Sequence, residues 1–354
     1  MNTIAFPKLG LEFTVNRFIS VFGLDIAWYA ILISLGFLLA VIYGIKRMPQ
    51  FGLDSDRAID AILAGMVGGL IGARLYYVAF SWDQYKDNLM EIFNTRNGGL
   101  AIYGGIIGAL AFGLLVCKLR KVKILPMLDI TALGFLLGQG IGRWGNFING
   151  EAFGSETDSV FGMTIAGIAD SPVHPCFLYE SLWCLLGFLL LHFYSKKRKF
   201  DGEVALFYLI WYGAERAVVE GLRQDSLYLG NLRVSQVLSV MLVIAALIIW
   251  FCVRSKIKRE NDPNYLKLYV YTEESKELLR QAQEKNSKKT KKTHEEELEE
   301  DALEDGVEEE NDEKLQKRLL ESEEAEEEAD EESEKNRSSL FAEDEESDKD
   351  SSQA

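Results

Sequence analysis

Taken whole, the 354 residues carry a net charge of −16 and a mean hydropathy of zero, figures that would suit an acidic soluble protein. Divided after Ser255, the chain separates into unlike parts: residues 1–255 hold 21 Lys and Arg against 19 Asp and Glu, and residues 256–354 hold 17 against 35. The first part is apolar and rich in Gly, Phe, Trp and Tyr, which excludes a soluble globular class; the second is mostly Glu, Lys, Asp and Ser. Cys117, Cys176, Cys184 and Cys252 are scattered, without a C-x-x-C pair or metal-type His/Cys spacing, so neither a disulfide framework nor a metal site is expected. The N-terminus lacks the charged region, short apolar core and cleavage site of a removable signal peptide, and none is expected.

In chain order, residues 1–24 mix aromatic side chains with Lys8, Glu12 and Arg17 and read as a segment lying along a membrane interface. Seven apolar stretches then approach the ~20 residues needed to cross a bilayer. They lie near 25–45, 58–80, 98–117, 126–147, 174–194, 203–221 and 234–253, the third, fourth and sixth being interrupted by polar groups. The expected fold is all-α: a polytopic membrane bundle of about seven transmembrane helices over residues 1–255. Residues 256–354 are expected to be a disordered acidic cytoplasmic tail, with transient helix over parts of 275–285 and 313–320. Glycines four apart (Gly68/Gly72, Gly104/Gly108, Gly134/Gly138/Gly142) suit close helix packing in lipid.

Lys and Arg in the loops set the orientation. The loops after spans one, three, five and seven hold 15 of them, against 6 on the opposite side. The N-terminus is therefore expected outside and the tail in the cytoplasm. With that orientation, five spans bring polar groups to one outer depth. Span two contributes Arg74; span three, Asn97 and Tyr103; span four, Arg143 and Asn146, with Asn149 and Glu151 just beyond. Span five opens with His174, Tyr179 and Glu180. In span six Tyr212, Arg216, Glu220 and Arg223 fall on one helical face. Asp60 and Asp129 fall near inner ends, where interfacial solvation accounts for them. A guanidinium near lipid is costly and usually functional. Paired arginines in an apolar bundle suit a phosphate, and at this depth a phospholipid headgroup.

The stretch G-R-W-G-N-F-I-N-G-E-A-F-G (142–154) resembles the signature of the bacterial phosphatidylglycerol–prolipoprotein diacylglyceryl transferases. G-G-L-A-I-Y-G-G-I-I-G (98–108), H-P-C-F-L-Y-E (174–180) and Y-G-A-E-R-A-V-V-E-G-L-R-Q-D (212–225) resemble that family's other blocks in the same order. The resemblance covers roughly residues 20–255. It implies an enzyme of the bacterial cytoplasmic membrane that moves the diacylglyceryl group of phosphatidylglycerol onto the lipobox cysteine of prolipoprotein signal peptides. The product is a thioether, and glycerol phosphate is released. It also implies that Arg143 and Arg216 engage the lipid phosphate and headgroup, that Asn146, Glu151 and Gly154 match other functional positions, and that Tyr212, Glu220 and Arg223 match the face of span six. Tyr103 stands where many members have a histidine. A phenol with a reference pKa near 10 is a poor base at neutral pH, so Tyr103 is expected to orient the substrate.

The expected reaction is displacement at an sp³ carbon, with Arg143 and Arg216 stabilising charge on the leaving phosphate. Glu151 or Glu220 is expected to take the proton of the thiol. Asn149 and His174 complete the candidate binding set, although capping of span five is the simpler role for His174. No metal, nucleotide or nucleic-acid partner is implied. A transporter with an anion-binding vestibule, and another headgroup transferase or phospholipase, remain as alternatives.

Overall fold

The apolar runs form the expected helices. The computed structural model describes residues 2–95, 98–223, 228–229, 232–262 and 264–304. Its long helices are α1 (Trp28–Arg47), α2 (Ser55–Phe80), α3 (Ile102–Leu119), α4 (Ile124–Asn149), α5 (Cys176–Ser195), α6 (Glu203–Leu222), α7 (Val234–Glu260) and α8 (Glu273–Glu304). Six of them, α1–α5 and α7, are long and apolar enough to cross a membrane. α6 has 20 residues, about 30 Å, but carries Glu215, Arg216 and Glu220. Glu215 and Glu220 are buried, so its polar face is turned into the protein. The protein is a multi-pass membrane bundle.

Small residues set the helix pairing. α2 packs along α3 and α1 along α4. A Cβ added to Gly72 would lie 2.9 Å from the Gly108 Cα, and one on Gly36 would lie 3.1 Å from the Gly138 carbonyl oxygen. Close backbone approach replaces side-chain packing at both seams.

The N-terminal residues, expected along a membrane interface, are strands: β1 (Asn2–Phe6), β2 (Leu11–Val15), β3 (Phe18–Val21) and β4 (Leu24–Ala27). β1 also pairs with β5 (Met163–Ile165), which pairs with β6 (Ala169–Val173), giving an antiparallel sheet of order β2-β1-β5-β6. Ile4, Phe6, Met163, Ile165 and Val173 from the sheet bury Phe147 of α4 and Phe177 of α5. Alternating apolar residues of β1 supply the inward face, a period-two signal. The sheet thereby holds the loop after α4 against the start of α5.

At the opposite, Lys/Arg-rich end, Asp129 corrects the sequence reading. It is fully buried, not interfacial: its carboxylate accepts from Gly202 N at 2.8 Å and Ala205 N at 2.9 Å. It therefore caps the start of α6, whose first N–H groups have no partner within the helix. Asp60, by contrast, is half-exposed and pairs with Arg120 at 2.6 Å.

The chain divides into units Met1–Gln281 and Ala282–Ala354, so the first continues well past Ser255. Tyr269 is buried and its N–H donates to Asp201 at 2.7 Å. Ser275 is fully buried and its hydroxyl donates to the Gly52 carbonyl at 3.0 Å, while Lys123 pairs with Glu274 at 3.0 Å. Residues 264–281 thus dock on the loops joining α1–α2, α3–α4 and α5–α6. Burial pushes the Asp201 carboxyl above its ordinary range, although the Tyr269 N–H and Arg198 pull it down. α8 is longer than the expected transient turn, with i,i+3 pairs Glu273–Lys276 and Glu277–Arg280 on its surface. The expected helix at 313–320 lies outside the described residues, as does Asn97.

Candidate active site

α4 delivers the first half of the site. It ends at Gly150, which adopts φ 65° and turns the chain back over the last helical turn. Two of the last carbonyls, which lack helical partners, are met by the N-terminal segment: Ile148 O accepts from Asn2 at 3.0 Å and Asn149 O from Arg17 at 2.9 Å. The turn brings Glu151 above its own helix, where Oε1 accepts from the side-chain amides of Asn146 (3.0 Å) and Asn149 (3.1 Å). Three expected site residues form one hydrogen-bonded unit at the end of α4.

One turn deeper, Arg143 joins the second half. Its Nε lies 3.1 Å from Glu180 Oε2, and Glu180 Oε1 lies 3.3 Å from Arg216 Nη1. Arg216 Nη2 in turn meets Glu220 Oε2 at 2.7 Å. This alternating chain ties α4, α5 and α6 together. The carboxylates of Glu180 and Glu220 are 1% and 2% exposed, whereas both arginines keep 20%. Among the described residues, no hydrogen bond engages Arg143 Nη1 or Nη2. Buried ion pairs contribute little net stability compared with apolar packing. What this one achieves is aim: Glu180 holds each guanidinium by one edge and leaves donors of Arg143 for a ligand.

Arg143 and Asn146 close one end of a groove of about 360 Å³ between α1 and α4. Gly134, Gly138 and Gly142 form one wall, where the missing side chains make room; Ile33, Phe37 and Val41 line the other. From Ile130 to Asn146 it follows α4 for about 24 Å at 1.5 Å per residue. Such a slot suits an extended hydrocarbon chain with its anionic end at Arg143.

Three expected binding residues make a structural junction. Gly154 donates its N–H to the His174 carbonyl at 2.9 Å and bridges Arg223 in antiparallel fashion. A Cβ at Gly154 would come within 2.7 Å of the His174 Cβ, so only glycine fits there. His174 does not cap α5 with its side chain; Nδ1 lies 3.3 Å from the Tyr179 hydroxyl. Arg223 ends α6, its N–H reaching the Val219 carbonyl. Tyr212 stacks on Tyr208, whose hydroxyl accepts from Gln139 at 3.1 Å.

Two expected members of the outer polar set stand apart. Tyr103 is exposed in the first turn of α3, and no hydrogen bond among the described residues links it to the arginine–carboxylate chain. Arg74 donates to five backbone carbonyls, those of Glu91, Ile92, Asn94, Gly98 and Gly99, at 2.7–3.1 Å. Its guanidinium organises the α2–α3 loop and has no donor to spare for an anion.

Glu180 is central here, although the sequence reading assigned it no catalytic or binding role. A lone carboxylate at the depth of two arginines was the available signal. Gln139 and Glu215 also lie beside the cluster, and nothing in their spacing marks them.

A family model described as prolipoprotein diacylglyceryl transferase matches residues 16–252. Relatives named phosphatidylglycerol–prolipoprotein diacylglyceryl transferase include one from Finegoldia magna, 45% identical over 244 residues, covering 69% of this chain and 97% of the relative. One from Clostridioides difficile is 43% identical over 229 residues, with 65% and 91% covered. One from Enterococcus faecalis is 43% identical over 272 residues, with 73% and 94% covered. With its arginine–carboxylate site inside the matched span, this chain belongs to the prolipoprotein diacylglyceryl transferase family.

Proposed function

We propose that the protein transfers the diacylglyceryl group of phosphatidylglycerol to the lipobox cysteine of prolipoprotein signal peptides. The observation that carries this reading is the apolar groove ending at Arg143, whose two terminal nitrogens have no hydrogen-bond partner among the described residues. An acyl chain lies along the glycine wall of α4, and the phosphate meets Arg143, with Arg216 held nearby on the other oxygen of Glu180. The lysine and arginine bias of the loops supports placing this end outside, where a translocated signal peptide meets its lipid donor.

In the reaction the cysteine sulfur attacks the sp³ carbon that joins the diacylglyceryl unit to phosphate. The C–S bond forms as the C–O bond breaks, and the electron pair leaves on the phosphate oxygen of glycerol phosphate. The leaving group gains a negative charge, so guanidiniums preset around it favour the transition state over the bound lipid. A free thiol is only a few per cent thiolate at pH 7, which makes a proton acceptor useful. Of the two expected bases, Glu220 is buried against Arg216, whereas Glu151 is exposed and has Oε2 unengaged among the described residues. That contrast favours Glu151. Asn146 and Asn149 hold its other oxygen and orient it. Tyr103, exposed at the same end, serves as a contact for the incoming peptide.

Incubating the purified protein with phosphatidylglycerol and a lipobox peptide tests the reading by mass spectrometry. A diacylglyceryl mass gain on the peptide cysteine is expected. No gain, with the protein monodisperse and the lipid intact, would refute it.

A further inference from the structure

The sheet beside the site has two edges, and the chain covers one of them. Along β6, Glu156 bridges Val173 in antiparallel fashion, Thr157 donates its N–H to the Pro172 carbonyl at 2.8 Å, and His174 donates to the Ser155 carbonyl at 3.0 Å. At the other edge, β2 takes backbone hydrogen bonds from β1 alone among the described residues. An antiparallel strand bonds to each neighbour through every second residue, so Leu11–Val15 presents a row of unused N–H and C=O groups about 17 Å long. Such an edge is a template for another strand, and proteins usually blunt it with proline, a bulge or an inward charge. β2 contains no proline, and its register against β1 is unbroken.

The inward face of β2 is apolar and incompletely covered. Leu11 lies opposite Phe6 and Phe13 opposite Ile4, two members of the buried cluster. The Phe13 ring meets those of Phe6 and Phe147 edge-on, at 6.3 and 6.0 Å. Yet Leu11 remains 48% exposed and Phe13 42%. The apolar layer over the end of α4 stops at β2 with both side chains half open.

The direction of β2 ties this edge to the site. Its last residue, Val15, lies opposite Asn2, which donates to the Ile148 carbonyl, and Arg17 just beyond donates to that of Asn149. β2 therefore runs towards the end of α4, where Asn146, Asn149 and Glu151 meet. A segment that begins at the site and leads away from the bundle runs antiparallel to β2, the sense of every pairing in this sheet. When a cysteine sulfur is held at the site and the apolar signal peptide lies in the membrane, the residues after that cysteine form such a segment.

We propose that the residues following the lipobox cysteine dock on β2 as an added antiparallel strand and so hold the sulfur at the end of α4. The proposal rests on the reading that a prolipoprotein is the acceptor. Main-chain hydrogen bonds supply affinity without fixing a sequence, while every second side chain turns towards Leu11 and Phe13 and gives a preference for apolar residues.

The test modifies the peptide and leaves the protein intact. Wild-type protein is given phosphatidylglycerol and a lipobox peptide with six residues after the cysteine, or the same peptide N-methylated at one of those residues in turn, or one ending at the cysteine. Methylation is expected to lower kcat/KM about tenfold at alternate positions and less than twofold between them, because alternate N–H groups face β2. The shortened peptide should show a KM raised about tenfold or more, with kcat near that of the full peptide. Leu11→Asp, an inward charge at the edge, should raise KM for the full peptide in the same way; if it does not fold, the methylated series decides alone. A series without a period of two, or a shortened peptide as good as the full one, overturns the proposal. So does a dimer of the wild type that Leu11→Asp dissociates while the series stays flat, which assigns the edge to a second copy. Wild-type protein that leaves the unmodified peptide unlipidated refutes the transferase reading itself, and this inference with it.

Discussion

Arg143 meets Glu180 through Nε at 3.1 Å and lines the end of the groove between α1 and α4, and no hydrogen bond among the described residues engages its two terminal nitrogens. A lysine in its place would offer a single ammonium, able either to pair with Glu180 or to meet a phosphate. Arg143→Ala is expected to abolish transfer, and Arg143→Lys to lower kcat by about 10²–10³, the scale of losing a directed transition-state donor. Both should remain monodisperse in detergent. Turnover of Arg143→Ala near the wild-type rate would remove this residue from the chemistry.

Glu180 is 1% exposed and serves two arginines from different helices. Glu180→Gln keeps the shape and removes the charge, leaving Arg143 and Arg216 to repel one another across the gap. The expected result is loss of most activity together with a destabilisation of about 3 kcal/mol, typical of breaking a buried pair. Thermal unfolding and transfer rate measured on one preparation check both parts.

The two carboxylates considered as base are separable by pH. If Glu151 takes the thiol proton, Glu151→Gln lowers kcat and flattens the acid limb of the rate profile. Glu220→Gln should lose activity through Arg216, with the shape of that limb kept. Exchange of these two outcomes would transfer the role of base to Glu220.

Residues 264–281 clamp three loops through Tyr269, Glu274 and Ser275. Ending the chain after Gln281 is therefore expected to leave transfer and melting temperature unchanged. Ending it after Glu260 exposes Gly52, Asp201 and the core around Phe51 and Leu53, and should lower the melting temperature by several degrees. Equal stability of the two truncations would show that the clamp contributes nothing.

Asp201 gives the clamp a pH dependence. Burial raises its carboxyl above the ordinary value near 3.9. A raised acid contributes stability that is complete below the unfolded pKa and lost as pH rises through the native one. Melting temperature followed from pH 4 to pH 7 should therefore decline less steeply in Asp201→Asn than in the wild type. Parallel profiles would exclude Asp201 as a source of the slope.

Much of this molecule was legible as a pattern. Runs of apolar residues and glycines four apart announced the spans and their close packing, because lipid and helical geometry impose local, periodic demands, but not that α2 would pair with α3 and α1 with α4. Arg143, Asn146, Asn149 and Glu151 were legible for a related reason: they fall within nine consecutive residues at one helix end, where both asparagines bind Glu151. Arg74 and Asp129 were misjudged. Position along a span does not say which loop folds back to take five hydrogen bonds, or which helix begins above a carboxylate.

By itself, then, the sequence determined the membrane bundle, the family motifs and the end of the bundle where polar groups gather, since each depends on residues near one another in the chain. The tertiary structure decided the rest. It made Glu180 the hinge between two arginines 73 residues apart, turned the N-terminal segment into a sheet under the site loop, and left Glu215 and Gln139 with unpaired acceptors. Those relationships arise between helices, where hydrogen bonds and burial depend on which faces meet, and sequence separation carries no record of that.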